Sequence, residues 1–489
     1  MRRHRGSGIL VYVVVSLVAI LAIGGIAIFL LASSNEVRTP TSESSTSTNT
    51  TGQVGPASGP NCVGVGGGSL FDSFNGLVYL QVQGAASHGP YTAVVNGTKL
   101  EGSIPGAGPM LCDPTDGYVY VLQLKPDQQS WPVLVIDGLR VLANLTLAEA
   151  SYFPWSPVGP MAYEPFNQFV YVAVNGISGN SLMVLRGTSL VANLTLNDLH
   201  NPVDAIAVNA RNGLLYIGGS FPTLVVNGTT VEYDINHTSA SLMLFDPANG
   251  FVYASNLYNT SVISGSSIIA TLPANDFGGG DFSCVYYCTY QGPLEYDSRN
   301  GYVYIAGTNN APGGFNAPGM VKELFVVDNS SVAATIITQN LPVTMLDDQL
   351  NHDLYLQMAF GQASNSQTTN PNATVSVVSG TRIVANLTFT GNFSAGMFVN
   401  PVNGYVYVFG FISPPTGGGV SNTTLAVVSN EAILKTIEMK GQAVPHSAVV
   451  DPATDQFYFL LQSSSPLGTN TTLVIVSGST VQAQINLSP

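Results

Sequence analysis

Nine copies of one short motif, each built around a tyrosine, constrain this chain more than any other feature of its sequence. Successive copies are 37 to 52 residues apart. The tyrosines are Tyr79, Tyr120, Tyr171, Tyr216, Tyr253, Tyr304, Tyr355, Tyr407 and Tyr458. An apolar residue directly precedes each of them. A unit that recurs at this period predicts a repeat architecture.

Each copy of the motif predicts a tight turn followed by a β-strand. An acidic residue or asparagine stands seven positions before each tyrosine: Asp72, Asp113, Glu164, Asn209, Asp246, Asp297, Asp348, Asn400 and Asp451. Side-chain oxygens at such positions accept hydrogen bonds from the N–H groups of a turn. Three positions before the tyrosine, six copies have glycine and the others have Gln168, His352 and Asp455. Glycine there allows the chain to reverse into a hairpin. We therefore interpret the carboxylates as turn caps rather than as catalytic groups.

A second hairpin follows each of these strands. Residues 133–147 and 260–272, for example, place an Asp-Gly or a Ser-Gly turn between two apolar alternations. Four strands in each repeat are the signature of a β-propeller blade. The sequence thus predicts an all-β protein in which residues 61–489 form one propeller of nine four-stranded blades. An eight-bladed ring with an irregular first or last repeat is the alternative.

The stretch "DPANGFVYASN" (246–256), followed by "TSVISGSSIIATL" (260–272), resembles the YVTN-type β-propeller repeats of archaeal surface-layer and other exported prokaryotic proteins. The resemblance covers about residues 62–489. The Tyr-x-x-Asn signature is literal only at Tyr253–Asn256, and nine copies exceed the seven blades that are commonest in that family. The resemblance implies a propeller with a cell-surface setting, and it implies no particular activity.

The first 60 residues predict a membrane anchor and a stalk. Residues 8–32 contain no charged side chain, and about 20 such residues span a membrane. The basic residues within 1–7 favour a cytoplasmic tail and an extracellular ectodomain. Residues 33–60 are rich in Ser and Thr, which is typical of a flexible stalk. A cleaved signal peptide and a pilin-type leader cut after Gly6 are alternatives, and both also export the remainder.

The cysteines are predicted to form two disulfides. An even number of them in an exported chain favours pairing. Cys284 and Cys288 are close enough in "CVYYC" to pair within one loop, which leaves Cys62 to pair with Cys112. No histidine or further cysteine accompanies either pair at the spacing of metal ligands, so we predict no metal site.

N-glycosylation sequons recur along the predicted ectodomain. We predict glycans at Asn96, Asn144, Asn193, Asn227, Asn236, Asn259, Asn329, Asn372, Asn386, Asn392, Asn422, Asn470 and Asn486. Asn144, Asn193, Asn386 and Asn486 fall at the same point of the predicted outermost strand. Glycans at these positions would coat the circumference of the ring and protect the exposed blade edges from pairing.

No catalytic or cofactor-binding motif is recognisable. The six histidines form no metal-binding arrangement, and no nucleotide fingerprint is present, so we predict no cofactor. Beyond Arg2, Arg3 and Arg5 the formal net charge of the chain changes from −14 to −17, which argues against a nucleic-acid partner. An exported propeller enzyme (a lyase, a glycan hydrolase or a quinoprotein-like oxidoreductase) is the alternative. It would depend on Asp276, Asp281 and His446.

The long irregular segments of the chain predict where a partner binds. Segments 148–160, 273–293, 306–321, 360–373 and 410–422 join the second strand to the third, or one blade to the next. Both kinds of connection emerge on one face of a propeller, and elaborated loops commonly carry function. The candidate binding residues there are Tyr152, Phe153, Trp155, Tyr286, Tyr287 and Tyr290. We expect non-catalytic binding, adhesion or surface-layer association, with surface glycans or proteins as partners.

Overall fold

The chain forms a β-sheet protein throughout the part that the computed structural model describes. That part comprises residues 62–63, 68–82, 89–123, 132–146, 161–175, 179–199, 202–219, 222–236, 238–256, 259–273, 294–308, 322–338, 340, 342–358, 372–390, 396–412, 422–444, 447–465 and 468–487. Its strands pair into nine antiparallel sheets. Within these ranges no helix is long and apolar enough to cross a membrane, and the predicted anchor lies outside them.

Each sheet is one blade, and its strands follow in chain order. Blade 1 contains β1 (Cys62–Val63), β2 (Ser69–Asp72), β3 (Leu77–Val82), β4 (Tyr91–Asn96) and β5 (Lys99–Pro105). Blade 2 contains β6 (Met110–Cys112), β7 (Val119–Leu122), β8 (Pro132–Asp137) and β9 (Arg140–Thr146). Blade 3 contains β10 (Met161–Glu164), β11 (Phe169–Val174), β12 (Asn180–Arg186) and β13 (Ser189–Leu196).

The middle three blades repeat this plan. Blade 4 contains β14 (Ala205–Asn209), β15 (Leu214–Gly218), β16 (Thr223–Asn227) and β17 (Thr230–Ile235). Blade 5 contains β18 (Leu242–Phe245), β19 (Val252–Ser255), β20 (Asn259–Ser264) and β21 (Ser267–Pro273). Blade 6 contains β22 (Leu294–Asp297), β23 (Tyr302–Thr308), β24 (Lys322–Asp328) and β25 (Ser331–Thr338).

The last three blades follow the same order, with a divided first strand in blade 9. Blade 7 contains β26 (Pro342–Asp348), β27 (Asp353–Met358), β28 (Asn372–Ser379) and β29 (Arg382–Thr390). Blade 8 contains β30 (Met397–Val399), β31 (Val406–Ile412), β32 (Asn422–Ser429) and β33 (Ala432–Lys440). Blade 9 contains β34 (Gln442–Ala443), β35 (Val449–Asp451), β36 (Gln456–Ser465), β37 (Gly468–Ser477) and β38 (Thr480–Asn486).

The blades are arranged in a closed ring. Because β1 is an additional short strand paired with β2, β2 to β5 count as the first to fourth strands of blade 1. From blade 1 to blade 8, the first strand of each blade then contacts the first strand of the next. Blade 8 contacts blade 9 through β32 and β34, and β35 of blade 9 contacts β2 of blade 1. The predicted nine-bladed propeller is therefore confirmed, and the eight-bladed alternative is wrong.

The core of the protein lies between neighbouring blades. Nine apolar clusters are buried, and each combines side chains from two adjacent blades. Because successive side chains of a strand point to opposite faces, the β-branched and aromatic runs of the motif fill the spaces on both sides of a blade. The nine motif tyrosines are all fully buried and are among the largest side chains of this core.

Among the described strands, the two ends of the chain form separate blades where the ring closes. Blade 1 is built from residues 62–105 alone and blade 9 from residues 442–486 alone. Apolar side chains of the two blades form one cluster, which includes Phe71 and Tyr458. Among the described residues, two side-chain hydrogen bonds join these blades, from Ser69 Oγ to the Ala448 carbonyl at 2.7 Å and from the Tyr91 hydroxyl to the Leu487 carbonyl at 2.6 Å. Packing and these two bonds close the ring.

Candidate functional site

The turns between first and second strands, and those between third and fourth strands, lie at one end of the blades, which we call the hairpin face. The opposite end is called the loop face. At the hairpin face all nine predicted caps accept a hydrogen bond from the backbone N–H two residues further on, at 2.5 to 3.1 Å. All nine caps are buried. The interpretation of these residues as turn caps is confirmed.

The position three residues before each tyrosine adopts a left-handed backbone conformation, which the sequence predicted for the six glycine copies. In the six glycine copies φ lies between 68° and 81°. The other three copies hold the same conformation without glycine, with φ of 57° at Gln168, 62° at His352 and 58° at Asp455. Glycine is required at Gly117, where an added Cβ would lie 2.9 Å from the Phe74 ring of blade 1.

The motif tyrosines tie each blade to the next one, a role that the sequence analysis missed. Seven of their hydroxyls donate a hydrogen bond to a carbonyl in the outer hairpin of the following blade. The pairs are Tyr120–Gly187, Tyr171–Gly228, Tyr216–Gly265, Tyr253–Asn329, Tyr304–Gly380, Tyr355–Asn430 and Tyr407–Gly478. In blade 1 the Tyr79 hydroxyl accepts a bond from the Gly138 amide at 3.1 Å. These eight contacts are the tyrosine latches.

The ninth tyrosine, at the joint where the ring closes, is the exception. Its counterpart in blade 1 is Gly97, which has the same left-handed backbone as the other acceptors, with φ of 53°. The Tyr458 hydroxyl bonds instead to Gln456 Oε1 in its own blade, at 2.5 Å. The joint between blades 9 and 1 therefore lacks the contact that the other eight joints share.

The chain enters the ring at the hairpin face. In the β1–β2 pair, Cys62 lies opposite Asp72 and Val63 lies opposite Phe71. Asp72 ends β2 at its capped turn, so Cys62 lies at the same end. Cys112 ends β6 at the hairpin face of blade 2, packs between blades 1 and 2, and is disulfide-bonded. Its pairing with Cys62 stays a prediction, and Cys284 and Cys288 lie outside the described residues.

The sequons of the fourth strands lie at exposed positions. Asn144, Asn193, Asn386 and Asn486 are all exposed. The first three occupy one register, opposite Leu134, Met183 and Ser376 of the third strand. Asn486 lies two residues further along, opposite Thr472, because Gln484 takes the equivalent place opposite Val474. The four sites are thus not at one point of the blade as expected, and their modification stays a prediction.

The candidate binding and acid–base residues cannot be placed. The six candidate aromatics and Asp276, Asp281 and His446 all lie outside the described residues. The strand ends that flank them lie at the loop face, since the second strands end and the third strands begin there. Among the residues that are described, no cluster of three acidic, histidine or cysteine side chains is arranged to hold a metal ion.

These features define a nine-bladed β-propeller whose hairpin face is built from repeated caps and latches. No family model matches the chain, and no curated protein matches it. Similar solved structures include a dihydro-heme d1 dehydrogenase, NirN, in complex with DHE. Its identity is 14%, its coverage is 75% of this chain and 73% of that chain, and its TM-score is 0.49.

Two further solved structures are similar at lower identity. The Dos1 propeller is 8% identical, over 86% of this chain and 95% of that chain, with a TM-score of 0.46. The Kuenenia stuttgartiensis hydrazine synthase is 11% identical, over 66% of this chain and 80% of that chain, with a TM-score of 0.36. Identities this low concern the fold alone.

Proposed function

We propose that this protein is a membrane-anchored, N-glycosylated propeller that binds a partner at the cell surface through its loop face, without catalysis. The observation that carries the proposal is the use of the repeated polar residues. All nine caps accept turn N–H groups, and eight of the nine tyrosines are latches. The groups that recur in every blade therefore build a rigid ring, which leaves recognition to the segments that differ between blades.

The position of β1 supports the same assignment of the loop face. Because Cys62 lies beside Asp72, the chain preceding the ring joins it at the hairpin face. The strand ends that flank the predicted recognition segments are at the loop face, at the other ends of the strands from Cys62. A tether at one face and recognition loops at the other is an arrangement suited to a partner that approaches from outside the cell.

The proposal is tested with the full chain in detergent, applied to a glycan array and to purified cell envelope from the source organism. We expect saturable binding to one glycan class or one envelope component. Sustained chemical turnover of a bound compound by the wild type, lost in the variant Asp276→Asn with His446→Gln, would contradict the proposal in favour of the enzyme alternative.

The predicted disulfide between Cys284 and Cys288 makes a separate prediction about recognition. Closing so short a loop adds less than about 3 kcal/mol of stability, but it would preorganise Tyr286 and Tyr287 for binding. We expect the double variant Cys284→Ser, Cys288→Ser to keep its unfolding midpoint and to lose affinity for the partner. An unchanged affinity with a large drop in the midpoint would show that the loop is structural.

Glycosylation makes a third prediction, which intact-mass measurement checks. Replacing Asn144, Asn193, Asn386 and Asn486 by Gln in protein from the native host should remove the mass of four glycans, because all four are exposed on outermost strands. The matched variant Thr146→Ser, Thr195→Ser, Thr388→Ser and Ser488→Thr exchanges the hydroxyl residue of each sequon, which leaves the sequons intact and should leave the mass of the glycans unchanged. Equal masses for the first variant and the wild type would contradict glycosylation of this edge.

A further inference from the structure

Asp347 occupies a position of the ring that is apolar, cysteine or tyrosine in every other blade. The residue directly before each turn cap packs into the cluster shared with the preceding blade. In the other eight blades it is Phe71, Cys112, Tyr163, Val208, Phe245, Tyr296, Val399 and Val450. Asp347 is only 1% exposed, and neither of its carboxyl oxygens has a hydrogen-bond partner among the described residues.

The two tyrosines of this series show what a polar group does at the position. The Tyr163 hydroxyl hydrogen-bonds the Thr115 hydroxyl, in the turn of blade 2 that Asp113 caps. The Tyr296 hydroxyl lies beside Asp246, the cap of blade 5. In both blades an O–H group is directed at the cap region of the preceding blade. Asp347 lies at the corresponding place beside Asp297, the cap of blade 6.

The carboxyl groups of Asp347 and Asp297 interact electrostatically across the joint and have different surroundings. Asp297 accepts hydrogen bonds from the Arg299 amide at 2.9 Å, the Asn300 amide at 3.4 Å and Asn300 Nδ2 at 2.5 Å. The Ser298 amide is near Asp347, but it forms no bond of normal length with either oxygen. Hydrogen bonds to a carboxylate favour its charge, whereas burial without donors favours the neutral acid. Of the pair, Asp297 is thus suited to carry the charge and Asp347 to carry a proton.

We propose that Asp347 is a proton-binding site in the joint between blades 6 and 7. Its carboxylic acid form donates a hydrogen bond to the Asp297 carboxylate. The Tyr163 and Tyr296 hydroxyls are directed in the same way at the cap regions of blades 2 and 5. Loss of the proton leaves two facing carboxylates in a buried joint and loosens the contact. A lower pH therefore stabilises the joint between blades 6 and 7. This property goes beyond the proposed binding at the loop face.

The described titratable groups that interact with Asp347 are tyrosines and aspartates, and none of them is a cation. Tyr296 and Tyr304 approach from blade 6, and burial raises the pKa of Tyr296 to about 12, so its phenol is neutral. Asp348 and Asp353 approach from blade 7. Burial, and then the negative charge of Asp297, raise the pKa of Asp347 to about 8, against 3.8 for a free Asp side chain.

The direction of the pH dependence follows from these two pKa values. Between pH 4 and pH 8 the folded protein retains the proton of Asp347, whereas the unfolded chain has lost it. The folded state therefore binds more protons, and stability falls as the pH rises through this window. Burial also raises the pKa of Asp72, Asp116, Asp204 and Asp353 to about 6, so these groups contribute mainly below pH 6. In the interval from pH 6 to pH 8, the difference in slope between the wild type and a variant without the Asp347 carboxyl therefore reports on Asp347.

The test is denaturant unfolding of the full chain in detergent between pH 5 and pH 9. For the wild type we expect the equilibrium constant of unfolding to rise about tenfold per pH unit from pH 6 to pH 8. Asp347→Asn should remove this slope, because its amide N–H still donates to Asp297 and does not ionise. The control Asp353→Asn should keep it. An unchanged slope in Asp347→Asn, or a slope lost in the control, would overturn the proposal.

Further measurements keep the proposal testable if Asp347→Asn does not fold, and they distinguish a bound proton from a bound metal cation. Asp347→Val introduces the residue found in blades 4, 8 and 9, and it should also abolish the slope. In infrared spectra at pH 7, the band of protonated carboxylic acids should be stronger in the wild type than in the folded variant by about one group, and equal bands would overturn the proposal. Calcium at pH 9 should leave the wild-type midpoint unchanged; a rise that Asp347→Asn removes would instead assign the carboxyl pair to a cation.

Discussion

Tyr407→Ala is expected to lower the free energy of unfolding by about 3–5 kcal/mol, the range for truncating a large aromatic side chain in a core. Tyr407 is fully buried, and its ring stacks on Phe457 of blade 9 with centroids 4.2 Å apart. Its hydroxyl also donates to the Gly478 carbonyl at 2.9 Å. The substitution therefore removes packing and a latch from the joint between blades 8 and 9. Denaturant unfolding at pH 6 measures the loss.

Two tyrosine-to-phenylalanine variants separate the latch from the packing. Tyr407→Phe keeps the ring and should lower the free energy of unfolding by about 1 kcal/mol, the net value of a typical hydrogen bond. Tyr458→Phe is the matched control, since the Tyr458 hydroxyl bonds within its own blade and crosses no joint. We expect it to lower the free energy of unfolding less than Tyr407→Phe does. A Tyr407→Ala variant as stable as the wild type would contradict the role of these tyrosines.

Loss of the predicted disulfide between Cys62 and Cys112 is expected to lower the free energy of unfolding by about 4 kcal/mol. The bond would close a segment of about 50 residues, and the stabilisation by a cross-link in the chain-entropy model grows with the length of that segment. It would also fix the point where the chain enters the ring, next to the joint that lacks a latch. The double variant Cys62→Ser, Cys112→Ser tests this by denaturant unfolding under non-reducing conditions.

The same variant should leave recognition intact, because Cys62 and Cys112 belong to the hairpin end of their blades. The Cys284→Ser, Cys288→Ser variant is its counterpart at the predicted recognition loop. We expect opposite outcomes for the two pairs, with stability lost in one and affinity lost in the other. Equal stability of the Cys62→Ser, Cys112→Ser variant and the wild type would contradict the predicted pairing.

The motif predicted the ring because its signals are local. A cap and the amide that it binds are two residues apart, as in Asp246 and Ala248, so the turn is readable from a short stretch. The left-handed position is equally local: glycine signals it in six copies, and the structure shows that His352 adopts it without glycine. Each cap needed only its own repeat to be recognised, so nine copies of the motif gave nine blades.

The latches were missed because their partners are not at a fixed distance along the chain. Tyr216 and Gly265 are 49 residues apart, whereas Tyr253 and Asn329 are 76 apart. The connections between strands vary in length, and this variation hides a contact that is constant in space. Alignment of the repeats does contain a usable signal, since a glycine or asparagine with positive φ follows the third strand in every blade.

Asp347 was visible in the sequence as an acidic residue at an otherwise apolar position of the repeat, but its meaning depends on the neighbouring blade. Only the three-dimensional arrangement places it beside Asp297. The sequence likewise did not predict how the ring closes between blades 1 and 9, which are built from separate ends of the described chain. If a strand from one end of the chain completed the blade at the other end, the sequence would contain the same nine motifs, so the motifs do not distinguish the two kinds of closure.

Binding of the full chain to its envelope or glycan partner, compared between variants of the two faces, tests the central claim most directly. Tyr286→Ser with Tyr287→Ser changes the predicted recognition loop. Leu350→Ser with Val402→Ser changes two turn residues of the hairpin face that are 51% and 49% exposed. We predict that the first pair lowers the affinity at least tenfold, as loss of buried aromatic anchors does, and that the second changes it less than twofold. Loss of affinity only in the Leu350→Ser, Val402→Ser variant would place recognition on the hairpin face and contradict the account.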